Sequence, residues 1–356
     1  MGFDPAATRR IGRLDLFVSQ LGYGALPFGS RDPADSDASI ADAFDAAYAA
    51  GLRYFDTAPL YGLGVSELRL GAALRRVDRR SVVVSSKVGR LLQPVTTDAG
   101  GLACGAEPFE VAFDYGYDAT LRSLEHSLQR LGTNRIDIAL IHDVNRRWQG
   151  DLVEQRYREA MDGAYRALAE LRNARVIRAI GVGVNDWSIL LRFAADGDFD
   201  CFMLAGRYTL LDHGALETFM PDCLRRGISV LMAAPFNSGI LATGARPGAT
   251  YFYTAADADI TARTQRIEAV CARYDVSLAA AALQFPLAHP AVASVVTGMR
   301  GRREADANRA HCEARIPADF WAELKQQALI AADAPVPQSD PDRNTSPDFR
   351  FRGRQP

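Results

Sequence analysis

The chain alternates short apolar runs with stretches in which apolar residues recur at helical spacing. The strand-like runs are "LGYGALPFG", "RYFDTA", "VVVSSKVG", "IDIALIHD", "IRAIGVGVN", "FDCFMLAGRYT", "ISVLMAAPF" and "VASVVTGM". The helical stretches between them are "SIADAFDAAYAAG", "SELRLGAALRRV", "YDATLRSLEHSLQRLG", "YREAMDGAYRALAELRNA", "WSILLRFAADG", "ALETFMPDCLRRG" and "TARTQRIEAVCARYDV". Several of them end in a glycine, which suits a left-handed C-cap.

Apolar strands that alternate with helices are typical of a parallel sheet buried on both faces, and eight such units predict a closed (β/α)8 TIM barrel. We therefore expect a single barrel over residues 1–334. The opening "RRIGRLDLFVSQLGYG" predicts a β-hairpin across the barrel's bottom, and "PADFWAELKQQALI" predicts an extra C-terminal helix. Residues 335–356 form a polar, proline-rich tail. Long loops at 90–117 and 143–156, after strands three and four, are expected to shape the site.

Composition narrows the range of partners. The formal net charge is -2, with 48% hydrophobic and 24% charged residues, so the chain has no general basic character for nucleic acid or anionic membranes. Without an apolar run of membrane-spanning length or a secretory signal pattern, we expect a cytoplasmic protein that acts on a small molecule. The oligomeric state stays open. Five cysteines lack metal-binding spacing, which favours reduced thiols and no metal site; they are Cys104, Cys201, Cys223, Cys271 and Cys312.

Ionisable or amide side chains stand where several predicted strands end. Asp56 ends strand two, with Tyr61 just beyond it, and Lys87, His142 and Asn185 end the next three strands. Any one of these residues by itself suits a helix cap, a packing contact or a solvated surface. Because barrel enzymes build their sites at the C-terminal ends of strands, we expect the set to converge.

The combination suggests acid/base chemistry. A tyrosine with a pKa near 10 is a poor base at neutral pH, and a neighbouring ammonium lowers that pKa. We predict that Tyr61 is the acid/base, that Lys87 lowers its pKa and that Asp56 holds Lys87 in place. His142 would donate to the substrate oxygen or relay a proton.

Four segments carry a resemblance to a known family. "FDTAPLYG", "SSKVG", "LIHD" and "GVGVN" occur in order, and the likeness to the aldo-keto reductase superfamily runs over roughly residues 12–330. The resemblance implies NAD(P)-dependent hydride transfer on a (β/α)8 barrel without a metal. It places the family's catalytic tetrad on Asp56, Tyr61, Lys87 and His142. Further segments, such as "LAGRYTLLD" and "APFNSGIL", resemble a bacterial branch of aldose and pyridoxal dehydrogenases.

The same resemblance implies a cofactor site. Asn185 would bind the nicotinamide carboxamide, and the loop "PFNSGIL" after strand seven would hold the pyrophosphate. No G-x-G-x-x-G follows a strand, so a Rossmann-type site has no support. The candidate cofactor residues are Asn185, Pro235, Phe236, Asn237, Ser238, Gly239, Leu241, Gly298, Arg300 and Asn308.

The resemblance also implies that NADP-using relatives often carry a lysine and an arginine around the 2'-phosphate, and Gly298 and Glu304 stand at those positions here. A carboxylate repels the 2'-phosphate of NADP, which favours NAD. Arg300, Arg302 and Arg303 keep NADP open, because one of them could bind that phosphate with two hydrogen bonds.

The substrate pocket departs from the common family pattern. Ala205 replaces a glutamine, which makes Arg207 and Tyr208 candidates for substrate contact. Trp148 and Trp187 are candidate walls for a sugar ring, with ordinary packing as the alternative. We expect oxidation of an aldose at its anomeric hydroxyl. Oxidation of pyridoxal, NADPH-dependent reduction of aldehydes and a non-catalytic NAD(P)-sensing barrel remain alternatives.

Overall fold

A closed barrel of parallel strands organises the molecule. The computed structural model describes residues 2–30, 32, 35–95 and 108–337, and within them eight parallel strands pair in chain order until the last meets the first. The strands are Leu21–Gly24, Tyr54–Asp56, Val83–Val88, Ile138–His142, Ala179–Val184, Cys201–Ala205, Ser229–Ala233 and Val292–Gly298. This architecture confirms the predicted fold class.

Helices surround the barrel, and their apolar sides join the main core. Their bounds are Asp37–Ala49, Val65–Leu74, Tyr117–Leu131, Arg146–Gln149, Val153–Glu159, Arg166–Asn173, Trp187–Asp196, Phe219–Arg226, Ile240–Thr243, Ala258–Arg273, Leu278–Leu287, Arg302–Glu313 and Ala318–Gln326. A π-helical stretch, Ala160–Tyr165, joins two of them. The expected extra C-terminal helix is present as Ala318–Gln326. Most of the predicted tail, from residue 338 onwards, lies outside the described residues.

The helix Leu278–Leu287 was not predicted from the periodicity of the chain. All of its residues except Leu278 are buried, so it has no polar face to mark a helical repeat. The seventh β/α unit therefore carries this helix in addition to Ala258–Arg273.

A hairpin closes the N-terminal end of the barrel, as the sequence predicted. Thr8–Arg10 pairs antiparallel with Phe17–Ser19. Val18 in the second hairpin strand, with Ile11 and Leu16 in the turn, packs in a second apolar cluster with residues from the barrel strands. This cluster fills the bottom of the barrel and leaves the C-terminal strand ends for chemistry.

The two expected loops contain regular structure. After strand three, Arg90–Pro94 pairs antiparallel with Phe109–Phe113, while residues 96–107, including Cys104, lie outside the described part. The expectation of a loop over 143–156 is wrong. That segment contains the helix Arg146–Gln149 and the start of Val153–Glu159, because the Asn145 side chain accepts from the Trp148 amide and caps the first turn.

Other expectations concern cysteines, metals and membranes. Within the described part of the chain, Cys201, Cys223, Cys271 and Cys312 are buried free thiols. No cluster of histidine, cysteine and carboxylate side chains suits a metal ion among those residues. None of the helices described is both long and apolar enough to cross a membrane.

Two glycines of strand five provide a test of barrel packing. A Cβ at Gly181 would lie 2.1 Å from the Cys201 carbonyl oxygen, whereas a Cβ at Gly183 would meet its nearest neighbour, the Lys87 Cε, at 3.6 Å. We expect Gly181→Ala to lower the free energy of unfolding by about 1–3 kcal/mol, since the backbone must move, and Gly183→Ala to cost less than about 1 kcal/mol. Urea denaturation measures both. Equal losses would contradict this account of the strand contact.

Candidate active site

A buried ion pair joins strands two and three. The Lys87 Nζ donates to both oxygens of Asp56, at 2.7 and 2.9 Å, and to the Thr57 carbonyl oxygen at 2.9 Å. The Ser85 hydroxyl donates to Asp56 at 2.7 Å and is itself 3.0 Å from the Tyr54 hydroxyl. Burial is the largest single influence on the pKa of Lys87 and lowers it, but the charges and hydrogen bonds of Asp56 and Tyr61 together outweigh burial and raise this pKa. Lys87 is therefore held as a fixed ammonium.

Tyr61 lies beside this pair in a tight turn. Gly62 has φ +62°, and Gly29 approaches so closely that a Cβ there would be 2.4 Å from the Tyr61 carbonyl carbon. The Lys87 Nζ is 4.7 Å from the centre of the phenol ring, and the ring meets the His142 imidazole edge-on at 6.3 Å. The turn therefore brings the phenol between an ammonium and an imidazole.

The sequence-based prediction for the pKa of Tyr61 needs correction. Burial raises this pKa to about 12, and the opposing effect of the Lys87 ammonium, which was expected to dominate, is smaller. Tyr61 therefore carries its proton at neutral pH. It is ready to act as an acid, and it must lose that proton before it acts as a base.

His142 ends strand four as a buried neutral imidazole. Burial, together with the positive charges of Lys87 and Arg90, lowers its pKa well below the usual range. Its Nε2 is 3.3 Å from a carboxylate oxygen of Asp143, and its Nδ1 has no hydrogen-bond partner among the described residues. Its backbone oxygen accepts from the Tyr115 hydroxyl at 2.7 Å. A neutral imidazole has one N–H donor. It is therefore better suited to donate a hydrogen bond to a substrate oxygen than to carry a proton as a charged imidazolium.

A second buried ion pair lies next to His142 and was not singled out from the sequence. The Arg90 guanidinium contacts Asp143 Oδ2 at 2.5 Å and lies 4.5 Å from the Trp148 ring centre and 4.9 Å from that of Phe113. The available signal was a charged residue directly after each strand, in "KVGR" and "LIHD". Only the fold brings these two strand ends together.

Asn185 follows strand five, as predicted. Its Oδ1 accepts from the Asn145 amide at 3.1 Å, and its backbone oxygen accepts from Arg207 at 3.2 Å. This fixes the orientation of the amide and leaves its NH2 group for another acceptor.

The loop after strand seven has an unusual backbone. Asn237 is buried, accepts from the Thr209 hydroxyl at 2.5 Å and donates to the Gly206 carbonyl at 3.0 Å. Ser238 accepts from the Tyr253 amide at 2.9 Å. Pro235 and Leu241 are buried and Phe236 partly so, while left-handed φ values occur at Ala234, Asn237, Ser238 and Gly239. Such turns present backbone N–H groups in a concave arrangement that suits a phosphate.

The segment after strand eight has charged groups of both signs. The Arg300 amide donates to Glu304 at 2.8 Å, and Arg302 binds Asp42 with contacts of 2.7–3.1 Å. Arg302 is therefore engaged with another helix. Gly298, Arg300 and Arg303 are exposed, and Asn308 is buried.

The candidate substrate-binding side chains differ in their exposure and in the residues that they contact. Trp148 is 44% exposed and stacks on Arg90, whose partner Asp143 adjoins His142. Arg207 pairs with Asp212 at 3.0 Å, next to Asn185. Trp187 is partly buried and packs against the main core.

Tyr208 is a correction to the predicted substrate contacts. Its side chain is fully buried, and its ring packs 5.1 Å from Phe285 and 5.6 Å from His289. Those residues lie in or beside the apolar helix Leu278–Leu287 outside the barrel. We therefore assign Tyr208 to packing.

A phenol, an ammonium and a neutral imidazole at the C-terminal end of a (β/α)8 barrel are the groups of a proton-transferring barrel enzyme. The chain belongs to the aldo/keto reductase family, whose family model matches residues 20–328. Members of this family are oxidoreductases that act on small molecules and use NAD(P)(H).

Relatives agree with this assignment. The chain is 39% identical to a pyridoxal 4-dehydrogenase from Microbacterium luteolum, over 91% of this chain and 98% of that one. It is 38% identical to a D-threo-aldose 1-dehydrogenase from a Pseudomonas species, over 88% and 95% of the two chains. The solved holo structure of an aldo-keto reductase from Bacillus halodurans matches with a TM-score of 0.71 at 24% identity, covering 94% of this chain and 99% of that chain, and supports the fold.

The Asp56–Lys87 pair gives a stability prediction. Lys87→Met leaves a buried carboxylate without its partner, so we expect a loss of about 3–5 kcal/mol in the free energy of unfolding. The double variant Asp56→Asn/Lys87→Met removes both charges, so its free energy of unfolding should fall by clearly less than that of Lys87→Met alone. Arg76→Met breaks a half-exposed pair with Asp45 and serves as the control, at less than about 1 kcal/mol. If urea unfolding shows Lys87→Met to be no less stable than Arg76→Met, the buried pair does not stabilise the fold as described.

Proposed function

We propose that the protein is an NAD-dependent dehydrogenase that oxidises the anomeric hydroxyl of an aldose to a lactone, with Tyr61 as the acid/base. The observation that carries this proposal is the juxtaposition of Tyr61 with the Asp56–Lys87 pair and the neutral His142. The likeness to a D-threo-aldose 1-dehydrogenase supports the substrate class.

The proposed step moves one proton and one hydride. The bound nicotinamide supplies the hydride acceptor. As the hydride leaves the anomeric carbon, the hydroxyl proton passes to the Tyr61 oxygen, and Lys87 stabilises the phenolate form of Tyr61 that must precede this transfer. His142 holds the same substrate oxygen. Because Tyr61 is protonated at neutral pH, we expect oxidation to accelerate as the pH rises towards its pKa of about 12.

The side chains and turns present fit a dinucleotide. Asn185 has its amide NH2 available for the nicotinamide carboxamide, and the left-handed turns over Asn237–Gly239 suit the pyrophosphate. A Cβ at Gly239 would meet nothing within 4 Å, which leaves room for a close approach. We therefore assign the cofactor to this loop and to the segment from Gly298 to Asn308.

NAD is the proposed cofactor because of the charges after strand eight. The Glu304 carboxylate accepts a hydrogen bond from the Arg300 backbone amide, and its charge would repel a 2'-phosphate. Arg302 is engaged with Asp42. Only the exposed Arg300 and Arg303 favour NADP among the charged side chains described in this segment.

Oxidation of pyridoxal is the second candidate, and it is favoured by the 39% identity to a pyridoxal 4-dehydrogenase. Trp148 would suit a pyridine ring as well as the C–H face of a sugar. The same tetrad would serve both substrates.

Replacing the phenol tests the mechanism. We expect Tyr61→Phe to lower kcat about 100- to 10,000-fold, the range for general acid/base catalysis, while NAD binding stays nearly unchanged. Turnover is followed at the NADH absorbance band, and cofactor binding by protein fluorescence. Tyr48→Phe removes a peripheral hydroxyl that contacts Ser81 and is the matched control, with normal turnover. Substantial activity of Tyr61→Phe would exclude Tyr61 as the acid/base.

A substrate panel tests the function itself. Purified enzyme is assayed above neutral pH with NAD or NADP against L-fucose, D-arabinose, L-galactose, pyridoxal and simple alcohols. We expect saturable oxidation of a sugar, with a higher kcat/KM for NAD than for NADP. Activity with pyridoxal alone would transfer the assignment to the second candidate, and a higher specificity for NADP would contradict the cofactor proposal. Reduction of aldehydes without any oxidation would identify a reductase, and the absence of turnover would favour a sensing barrel.

A further inference from the structure

The Arg90–Asp143 pair lies beside the reacting centre and has no part in the mechanism described above. Asp143 directly follows His142, and its backbone has a left-handed φ of +55° while its amide still bonds to the Gly183 carbonyl at 3.0 Å. A non-glycine residue in this conformation is strained unless its surroundings hold it. Here the backbone bond and the ion pair with Arg90 fix the carboxylate next to the imidazole.

The two carboxylate oxygens have different surroundings. Oδ2 contacts Arg90 at 2.5 Å and lies 3.3 Å from the His142 Nε2. In the described part of the chain, no hydrogen bond reaches Oδ1, and the side chain retains 11% exposure. Burial is the main cause of the raised pKa of Tyr61, and the charge of Asp143 adds to it. An acceptor therefore remains open at the site.

The position of this acceptor defines which part of a substrate it meets. A substrate whose reacting oxygen contacts Tyr61 and His142 places its next carbon near the side chains that adjoin the imidazole. Asp143 is such a neighbour, and an ionised carboxylate only accepts hydrogen bonds, so its natural partner is a hydroxyl. Trp148, which stacks on Arg90, borders the same region.

We propose that Asp143, held in place by Arg90, accepts a hydrogen bond from the substrate hydroxyl on the carbon adjacent to the reacting carbon. Arg90 is then a positioning residue and Asp143 a specificity residue. The enzyme would prefer 2-hydroxy carbonyl compounds, or the corresponding 1,2-diols and sugars, over analogues without that hydroxyl. The inference rests on the proposed function for the roles of Tyr61 and His142, but its test does not need a sugar.

The test compares two aldehydes that differ by that hydroxyl, glyceraldehyde and propanal, in NADH-dependent reduction. We expect the wild-type enzyme to favour glyceraldehyde in kcat/KM by about ten- to a hundredfold, the range for a hydrogen bond to a charged group. Asp143→Ala should bring the ratio close to one. Asp143→Asn, which tolerates the left-handed backbone and keeps a neutral acceptor, should give an intermediate ratio.

A buried ion pair away from the site provides the matched control. Asp200 pairs with Arg172 at 3.0 Å and accepts from the Ile180 amide at the start of strand five. Asp200→Asn removes a comparable charge, so it should leave the glyceraldehyde-to-propanal ratio unchanged even if stability falls. A role of Asp143 in folding alone would likewise leave the ratio unchanged.

The outcomes separate this inference from the proposed function. Equal losses for both aldehydes in Asp143→Ala, no wild-type preference, or no turnover of glyceraldehyde would each overturn it. If no sugar is oxidised but the preference for glyceraldehyde is present and depends on Asp143, the inference holds and the aldose assignment fails. If a sugar is oxidised, its 2-deoxy analogue should show the same Asp143-dependent loss of kcat/KM.

Discussion

The ion pair between Lys87 and Asp56 is the interaction on which the site depends. An ammonium enclosed by barrel strands is stable only with a compensating charge and with acceptors for its protons. The barrel provides these because strands two and three pair with Asp56 opposite Ser85, which places the carboxylate within reach of both Ser85 and Lys87. The closing hairpin fills the opposite end with apolar side chains, so the polar groups gather at one end.

One fixed positive charge influences both neighbouring proton carriers. Burial raises the pKa of Tyr61, and Lys87 limits that rise by favouring the phenolate. Burial lowers the pKa of His142, and Lys87 lowers it further. The result is a protonated phenol beside a neutral imidazole. Arg90 adds a second positive charge that lowers the pKa of His142, and Asp143 forms an ion pair with it.

The segment after strand four contacts the candidate cofactor loop after strand seven through Phe252 and Tyr253. Arg147, in the helix after strand four, lies 4.8 Å from the Phe252 ring centre and 5.1 Å from that of Tyr253. Tyr253 in turn bonds through its amide to Ser238 in the loop after strand seven. These contacts join the two segments at the C-terminal end of the barrel.

The sequence by itself determined the order of the eight barrel strands and of most helices between them, because the periodicity of apolar residues is a local property of the chain. It also identified Asp56, Lys87 and His142 as candidates for one site, since each stands at or near the end of a recognisable strand. Three features required the tertiary structure. The direction of the Tyr61 pKa shift depends on how deeply the phenol is buried, the burial of Tyr208 depends on the uniformly apolar helix Leu278–Leu287, and the Arg90–Asp143 pair joins residues 53 positions apart. Burial and contacts between distant strand ends arise from the closed barrel, and no local pattern of residues encodes them.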